Sequence, residues 1–153
     1  HLTNESNDIK YKFYGYKNIQ PIWANEFESK IKDCYMGLCL QRKPQLKYCL
    51  SDRVSQYAGN GLMIFIEHDT MFYDFLEDGK EAVYFNDKSE LSEKIKFYKI
   101  NKIKALEIAK NGHKKLHKFC NETIVTNYFI DCLNGEREEA LNSKYNWPIH
   151  IYR

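Results

Sequence analysis

Short apolar runs alternate along this chain with segments whose apolar residues recur every three or four positions, the pattern of strands followed by helices. Ile9 to Tyr14, rich in Tyr and Phe and stopped by Gly15, reads as a first strand ending in a turn. Trp23, Phe27 and Ile31 stand four residues apart and predict one face of a short helix over Trp23 to Lys32, with Pro21 just ahead of it. Tyr35 to Leu40 is a continuous apolar run, as expected of a strand buried on both faces of a parallel sheet. A basic loop, Gln41 to Lys47, leads to Ser51, which is placed to cap a helix reaching Ala58. Gly59-Asn60-Gly61 ends that helix, because Gly and Asn readily enter the left-handed conformation of a C-terminal cap. Leu62 to Ile66 has no polar member. Burying each such side chain is worth roughly 1.5–3 kcal/mol, which predicts a central position in the sheet.

Beyond that strand Glu67-His68-Asp69 breaks the apolar run, and Thr70 is placed to cap a short helix carrying Met71, Phe72 and Phe75 inward. Asp78-Gly79-Lys80 predicts a turn and Ala82 to Phe85 a fourth strand. Asp87, with Glu90 three positions later, has the form of a capping box and opens a helix whose Leu91, Ile95 and Tyr98 share a face. A longer helix, from about Lys102 to Phe119, carries Ile103, Leu106, Ala109, Leu116 and Phe119 on its expected core stripe, and another spans Thr123 to Leu133. The expected architecture is α/β: a Rossmann-like, three-layer domain over residues 1–135, with a mostly parallel sheet of about four strands and a helical C-terminal part. Residues 136–153 read as a C-terminal extension, charged at first and ending in Trp147-Pro148-Ile149-His150-Ile151-Tyr152, whose aromatics need a surface to dock on.

Composition narrows the classes of function. The 153 residues, 43% hydrophobic, suffice for one core of ordinary size. With 23 Lys and Arg against 21 Asp and Glu, no large one-signed field is available for a polyanion, so nucleic acid is not expected as a partner. The five cysteines form no Cys-x-x-Cys pair and no zinc or disulfide spacing, which fits a reducing compartment. The N-terminus is polar and no apolar run approaches the ~18 residues of a membrane span, so a cytoplasmic chain with no integral membrane segment is expected. His113 and His117 have metal-ligand spacing, but nothing nearby completes a set, and they read as packing or surface histidines; no metal or cofactor is expected. No Gly-x-Gly-x-x-Gly, Walker loop or Gly-x-Ser-x-Gly occurs, so dinucleotide oxidoreductases, P-loop enzymes and elbow-type hydrolases lack their mechanical parts.

In an open parallel sheet, ligands bind outside the carboxyl ends of the strands, beside helix starts that attract phosphate. Two segments qualify. One is Lys47 to Ser55, where the Ser51 hydroxyl, the amides after it and Arg53 can meet a diphosphate while the Asp52 carboxylate opposes it. The other is Glu67 to Thr70, including Asp69, at the carboxyl end of the most buried strand. The alternative for the first is that Ser51 and Asp52 only cap and Arg53 is solvated; for the second it is an ordinary polar loop.

The order of these features resembles the C-terminal domain of group 1 glycosyltransferases of the GT-B class, especially the bacterial branch with a shortened donor motif. The matching elements are Ser51-Asp52-Arg53, Ala58-Gly59-Asn60-Gly61-Leu62, Glu67, the run Phe75 to Phe85, Glu90-Leu91 and Ala109-Lys110-Asn111-Gly112, and coverage extends to about Leu133. The resemblance implies a domain that binds the nucleoside diphosphate of a sugar donor through Lys47, Ser51, Arg53, Gln56, Glu67, Asp69 and Thr70. The family typically holds the ribose with a Glu on the helix before the glycine turn; here that region reads Ser55-Gln56-Tyr57. It further implies displacement of the nucleoside diphosphate from the anomeric carbon without a metal, and a separate N-terminal acceptor domain without which the chain is expected to turn nothing over. The competing expectation is a non-catalytic, flavodoxin-like module that binds a nucleotide or a protein.

Overall fold

A computed structural model of the chain describes residues 9–41, 46–49 and 51–145. Its elements run α1 (Ala24–Ile31), β1 (Met36–Cys39), α2 (Arg53–Gly59), β2 (Met63–Glu67), β3 (Val83–Phe85), α3 (Lys88–Ile100), α4 (Lys102–Phe119), α5 (Glu122–Leu133) and α6 (Glu138–Tyr145), with two 3-10 turns, His68–Thr70 and Phe72–Asp74, between β2 and β3. The strands form one parallel sheet in the order β1-β2-β3, registered Met36 to Met63 and Phe65 to Val83. This is the α/β, Rossmann-like arrangement read from the sequence, with three strands among the described residues instead of about four.

Alternation along β2 divides the core in two, because successive side chains leave a strand on opposite faces. Ile64 and Ile66 join Val54 and Ala58 of α2 on one face, while Met63 and Phe65 join Leu91, Ile95 and Tyr98 of α3 and Ala105 and Ile108 of α4 on the other. Gly37 has a packing reason: a Cβ there would lie 2.5 Å from the Tyr57 ring, so only glycine lets α2 lie this close to β1. Helix α4 crosses the amino-terminal edge of the sheet, with Gly112 against Glu81 just ahead of β3 and the His117 Nε2 3.0 Å from the Gly59 carbonyl ahead of β2. The carboxyl edge is left for chemistry.

The expected strand at Ile9 to Tyr14 is irregular, although Gly15 does form the turn, with a φ of 68°. Lys12 reaches the Lys30 carbonyl and Asp33 at the end of α1, and Ile9 packs on the core, so this segment is held by side chains and not by a ladder. The far edge is closed as well. The outward N–H of Tyr84 donates to Asp78 Oδ1 and its carbonyl accepts from Lys94 Nζ, so β3 offers no free peptide for a further strand at that point. As an edge strand β1 is buried on one face only, Met36 and Leu38 being partly exposed, and not on both as its apolar run suggests.

Helix α4 departs most from its sequence pattern. Its buried residues are Ala105, Ile108, Ala109, Gly112 and Leu116, whereas Ile103 and Leu106 face outward. Small side chains are turned in because the helix passes so near the backbone at Glu81. The expected cap forms at α3, the Asp87 carboxylate accepting from the Ser89 and Glu90 N–H groups, but Glu90 reaches back to the N–H of Asn86, one residue before the N-cap. Residues 138–145 of the predicted extension form α6, tied to α5 by Lys144 and Tyr145 at Asp131. The Trp147 to Tyr152 segment lies outside the described residues.

The Lys94 ammonium and the Asn86 N–H hold the Glu90 carboxyl down to about 2, from an ordinary 4.5. A depressed carboxyl stabilises the fold above the unfolded value and loses that contribution as pH falls through the folded one. The stability difference between wild type and Glu90→Gln is therefore expected to be constant above pH 5 or so and to vanish between about 4.5 and 2. Urea midpoints across that range check it.

Candidate functional site

Strand β1 delivers Leu40 and Gln41 to the carboxyl edge, and β2 delivers Glu67 beside them. The Gln41 N–H donates to Glu67 Oε2 at 2.9 Å, and Arg53, at the first turn of α2, donates from Nη1 to the Leu40 carbonyl at 3.2 Å. Arg53 and Glu67, from different crossovers, thus converge on one dipeptide. A guanidinium carries five N–H donors. The Leu40 carbonyl is the one hydrogen-bond partner of Arg53 among the described residues, and its side chain is exposed.

Two further polar groups on this edge are buried without a partner among the described residues, Gln41 Nε2 and Ser51 Oγ. Neither Ser51 nor Asp52 caps α2 through its side chain; the N-cap is Asp52, in helical conformation. Capping by Ser51, expected from the sequence, is thereby replaced by an orphaned hydroxyl. A buried hydroxyl or amide left unpaired costs about 1–3 kcal/mol, so both groups gain from any hydrogen-bonding partner, water included.

The second expected segment is tied to the first. Tyr48 N donates to the Thr70 carbonyl at 2.8 Å, and Tyr48 Oη to Asp74 at 3.3 Å, which fixes Lys47 on the surface beside the 3-10 turn. Thr70 is fully buried; its hydroxyl donates to the Glu67 carbonyl at 2.8 Å and accepts the Phe72 N–H at 3.5 Å, at the head of the second 3-10 turn. Asp69 stands exposed on that turn. Tyr48 and Met71 both have positive φ, 57° and 55°, a conformation that non-glycine residues adopt at a cost of order 1–3 kcal/mol and that clusters at binding sites.

The structure therefore brings Arg53, Glu67, Thr70 and the Lys47 turn to one edge, with the half-buried Ser51 just ahead of α2 and Asp69 exposed on its turn. Gln56 lies one helical turn after Arg53 and is exposed; its carbonyl accepts from Asn60 Nδ2. Sequence reasoning missed Gln41. The available signal was its position as the first polar residue after the apolar run of β1.

Cys39, the last residue of β1, is no nucleophile at neutral pH: burial pushes its thiol up to about 12, against a smaller opposing pull from Arg53. All five cysteines are free. The His113 and His117 rings pack 4.2 Å apart, and no group of His, Cys, Asp and Glu among the described residues could hold a metal ion. The start of α3, another helix opening on this edge, is already occupied by the Asp87 and Glu90 carboxylates, whereas the start of α2 carries Arg53.

A family model described as glycosyl transferase-like matches residues 1–123, a span that includes the whole sheet, both crossovers and α4. Neither the curated proteins nor the solved structures contain a match to the chain.

Proposed function

The chain belongs to the glycosyl transferase-like family, and from that premise we propose that residues 1–135 are the donor-binding domain of a GT-B enzyme, with residues 136–153 as its extension. The observation that carries this reading is the meeting of Arg53 and Glu67 at Leu40-Gln41, with the Gln41 amide and the Ser51 hydroxyl buried and without a partner among the described residues. Donors of this kind suit the oxygens of a nucleoside diphosphate. Gln56, one turn along, is the group for the ribose, a neutral one in place of the usual carboxylate; Lys47 and Asp69 bound the sugar side, and the buried Thr70 holds the turn that carries Asp69.

In the transfer, an acceptor oxygen forms a bond to the anomeric carbon as the bond from that carbon to the diphosphate oxygen breaks. The electron pair leaves with the nucleoside diphosphate, and the acceptor proton passes to a base outside this domain. Arg53, together with Lys47, meets the charge that develops on the leaving group. The acceptor site belongs to a partner domain, so the chain by itself binds donor and turns nothing over. The chemistry is that of a cytoplasmic enzyme using cytoplasmic nucleotide sugars.

Calorimetry against UDP, GDP and ADP tests this. One of them is expected to bind, and Arg53→Ala to weaken it by about tenfold or more, the value of a charge-assisted contact to phosphate. Unchanged affinity removes Arg53 from the site. No binding of any nucleotide at millimolar concentration favours a non-catalytic, flavodoxin-like protein-binding module.

A further inference from the structure

The corner between α3 and α4 carries a feature that donor binding leaves unused. Phe97 and Ile100 share a face at the end of α3, Ile103 and Leu106 share one at the start of α4, and their exposures are 46%, 82%, 85% and 58%. Their neighbours Ile95, Tyr98, Ala105 and Ile108 are in the core, so these four point away from it. Lys104 Nζ lies 5.4 Å from the Phe97 ring centroid, which brings the two faces side by side, and Asn101, with its amide on the Phe97 carbonyl at 2.8 Å, sets the turn between them.

The charge around this patch has one sign. Residues 94 to 106 hold five lysines, Lys94, Lys96, Lys99, Lys102 and Lys104, and no acidic residue until Glu93 on one side and Glu107 on the other. Lys94 is engaged with Glu90, but Lys96, Lys102 and Lys104 are exposed. The chain as a whole is nearly neutral, so this local excess is not a by-product of composition.

We propose that this corner docks on an anionic lipid bilayer, with Phe97, Ile100, Ile103 and Leu106 entering the headgroup boundary and the lysines meeting lipid phosphates. Large apolar side chains flanked by lysines are the composition of interfacial helices, whose long basic stems let the ammonium groups stay at phosphate level. Protein interfaces are depleted in lysine, which counts against a protein partner. No described helix is long and apolar enough to cross a membrane, so the contact is peripheral. It would hold a soluble donor domain at the surface where a lipid-linked or membrane-bound acceptor is found, and it stands whether or not the donor reading does.

Flotation of the full chain with vesicles tests it. The chain is expected to float with phosphatidylcholine vesicles containing phosphatidylglycerol and not with phosphatidylcholine alone, and added salt should weaken the association. The triple variant Lys96→Glu, Lys102→Glu and Lys104→Glu should lower the bound fraction more than about tenfold, since each lysine near such a surface is worth about fivefold. The double variant Ile100→Ser and Ile103→Ser should lower it comparably with charge unchanged. All five positions are exposed, and retained helical circular dichroism shows that the variants fold. Absence of phosphatidylglycerol-dependent flotation, or flotation that survives both variants, overturns the proposal. So does a dimer that the isoleucine variant dissociates while flotation is unchanged, which assigns the face to a second copy of the chain.

Discussion

Alanine at position 112 is expected to destabilise the domain by about 2 kcal/mol, although alanine is the better helix former. In an exposed helix the change from glycine gains about 1 kcal/mol. Here the added Cβ would lie 2.3 Å from the Glu81 carbonyl oxygen and 3.4 Å from its carbon, and backbone has no rotamer by which to move aside. Nor can α4 easily withdraw. Lys115, one turn on, holds the Glu81 carboxylate at 2.8 Å, and the same oxygen accepts the Glu77 N–H at 2.8 Å. Overpacking of this kind costs about 1–3 kcal/mol or more, so the sign of the helix-propensity effect reverses. Gly59→Ala is the control: nothing lies within 4 Å of its added Cβ, and it should be neutral or slightly stabilising. Urea midpoints of the two variants decide the matter, and an undiminished midpoint for Gly112→Ala means that α4 does not approach Glu81 this closely.

Glu67→Ala is expected to weaken nucleoside-diphosphate binding more than about tenfold, since it deletes a charged acceptor worth about 1.5–3 kcal/mol to the Gln41 N–H. Glu67 fixes the dipeptide on which Arg53 also rests, so its loss should loosen both sides of the site. Glu67→Gln separates two roles. It retains an oxygen for the Gln41 N–H but no charge. If the glutamine variant keeps most of the affinity, Glu67 acts as a positioning residue; if it loses as much as alanine, the charge itself meets the ligand. Equal affinity in wild type and Glu67→Ala would take Glu67 out of the donor site altogether, and calorimetry reads all three outcomes.

Tyr35 to Leu40, Leu62 to Ile66 and Ala82 to Phe85 are legible as strands because each is a run without polar interruption, and their parallel pairing follows from the helical stretches between them. The Asp87 cap, the Gly59-Asn60-Gly61 stop and the Gly79 turn were equally readable, since each depends on groups a few residues apart. Ile9 to Tyr14 misled for the same reason in reverse: it has strand composition, but its contacts are made by side chains, Lys12 at Lys30 and Asp33 and Ile9 on the core, and not by a ladder. In the candidate site, Arg53 and Glu67 were named from their places at a helix start and a strand end. Their convergence on Leu40-Gln41 was not, because it depends on contacts between residues 13 and 26 positions apart.

The sequence by itself determined the class of fold and the order of its elements, because apolar period, caps and turns are local physics. Only the tertiary structure decided which face of α4 is core. That helix has apolar residues on more than one face, and the close approach of Gly112 to Glu81 turned Ala105, Ile108 and Ala109 inward and left Ile103 and Leu106 outside. It likewise decided that the Ser51 hydroxyl does not cap α2 and that it and the Gln41 amide are buried without a partner among the described residues, since whether a buried atom finds a partner depends on what the whole chain brings to it.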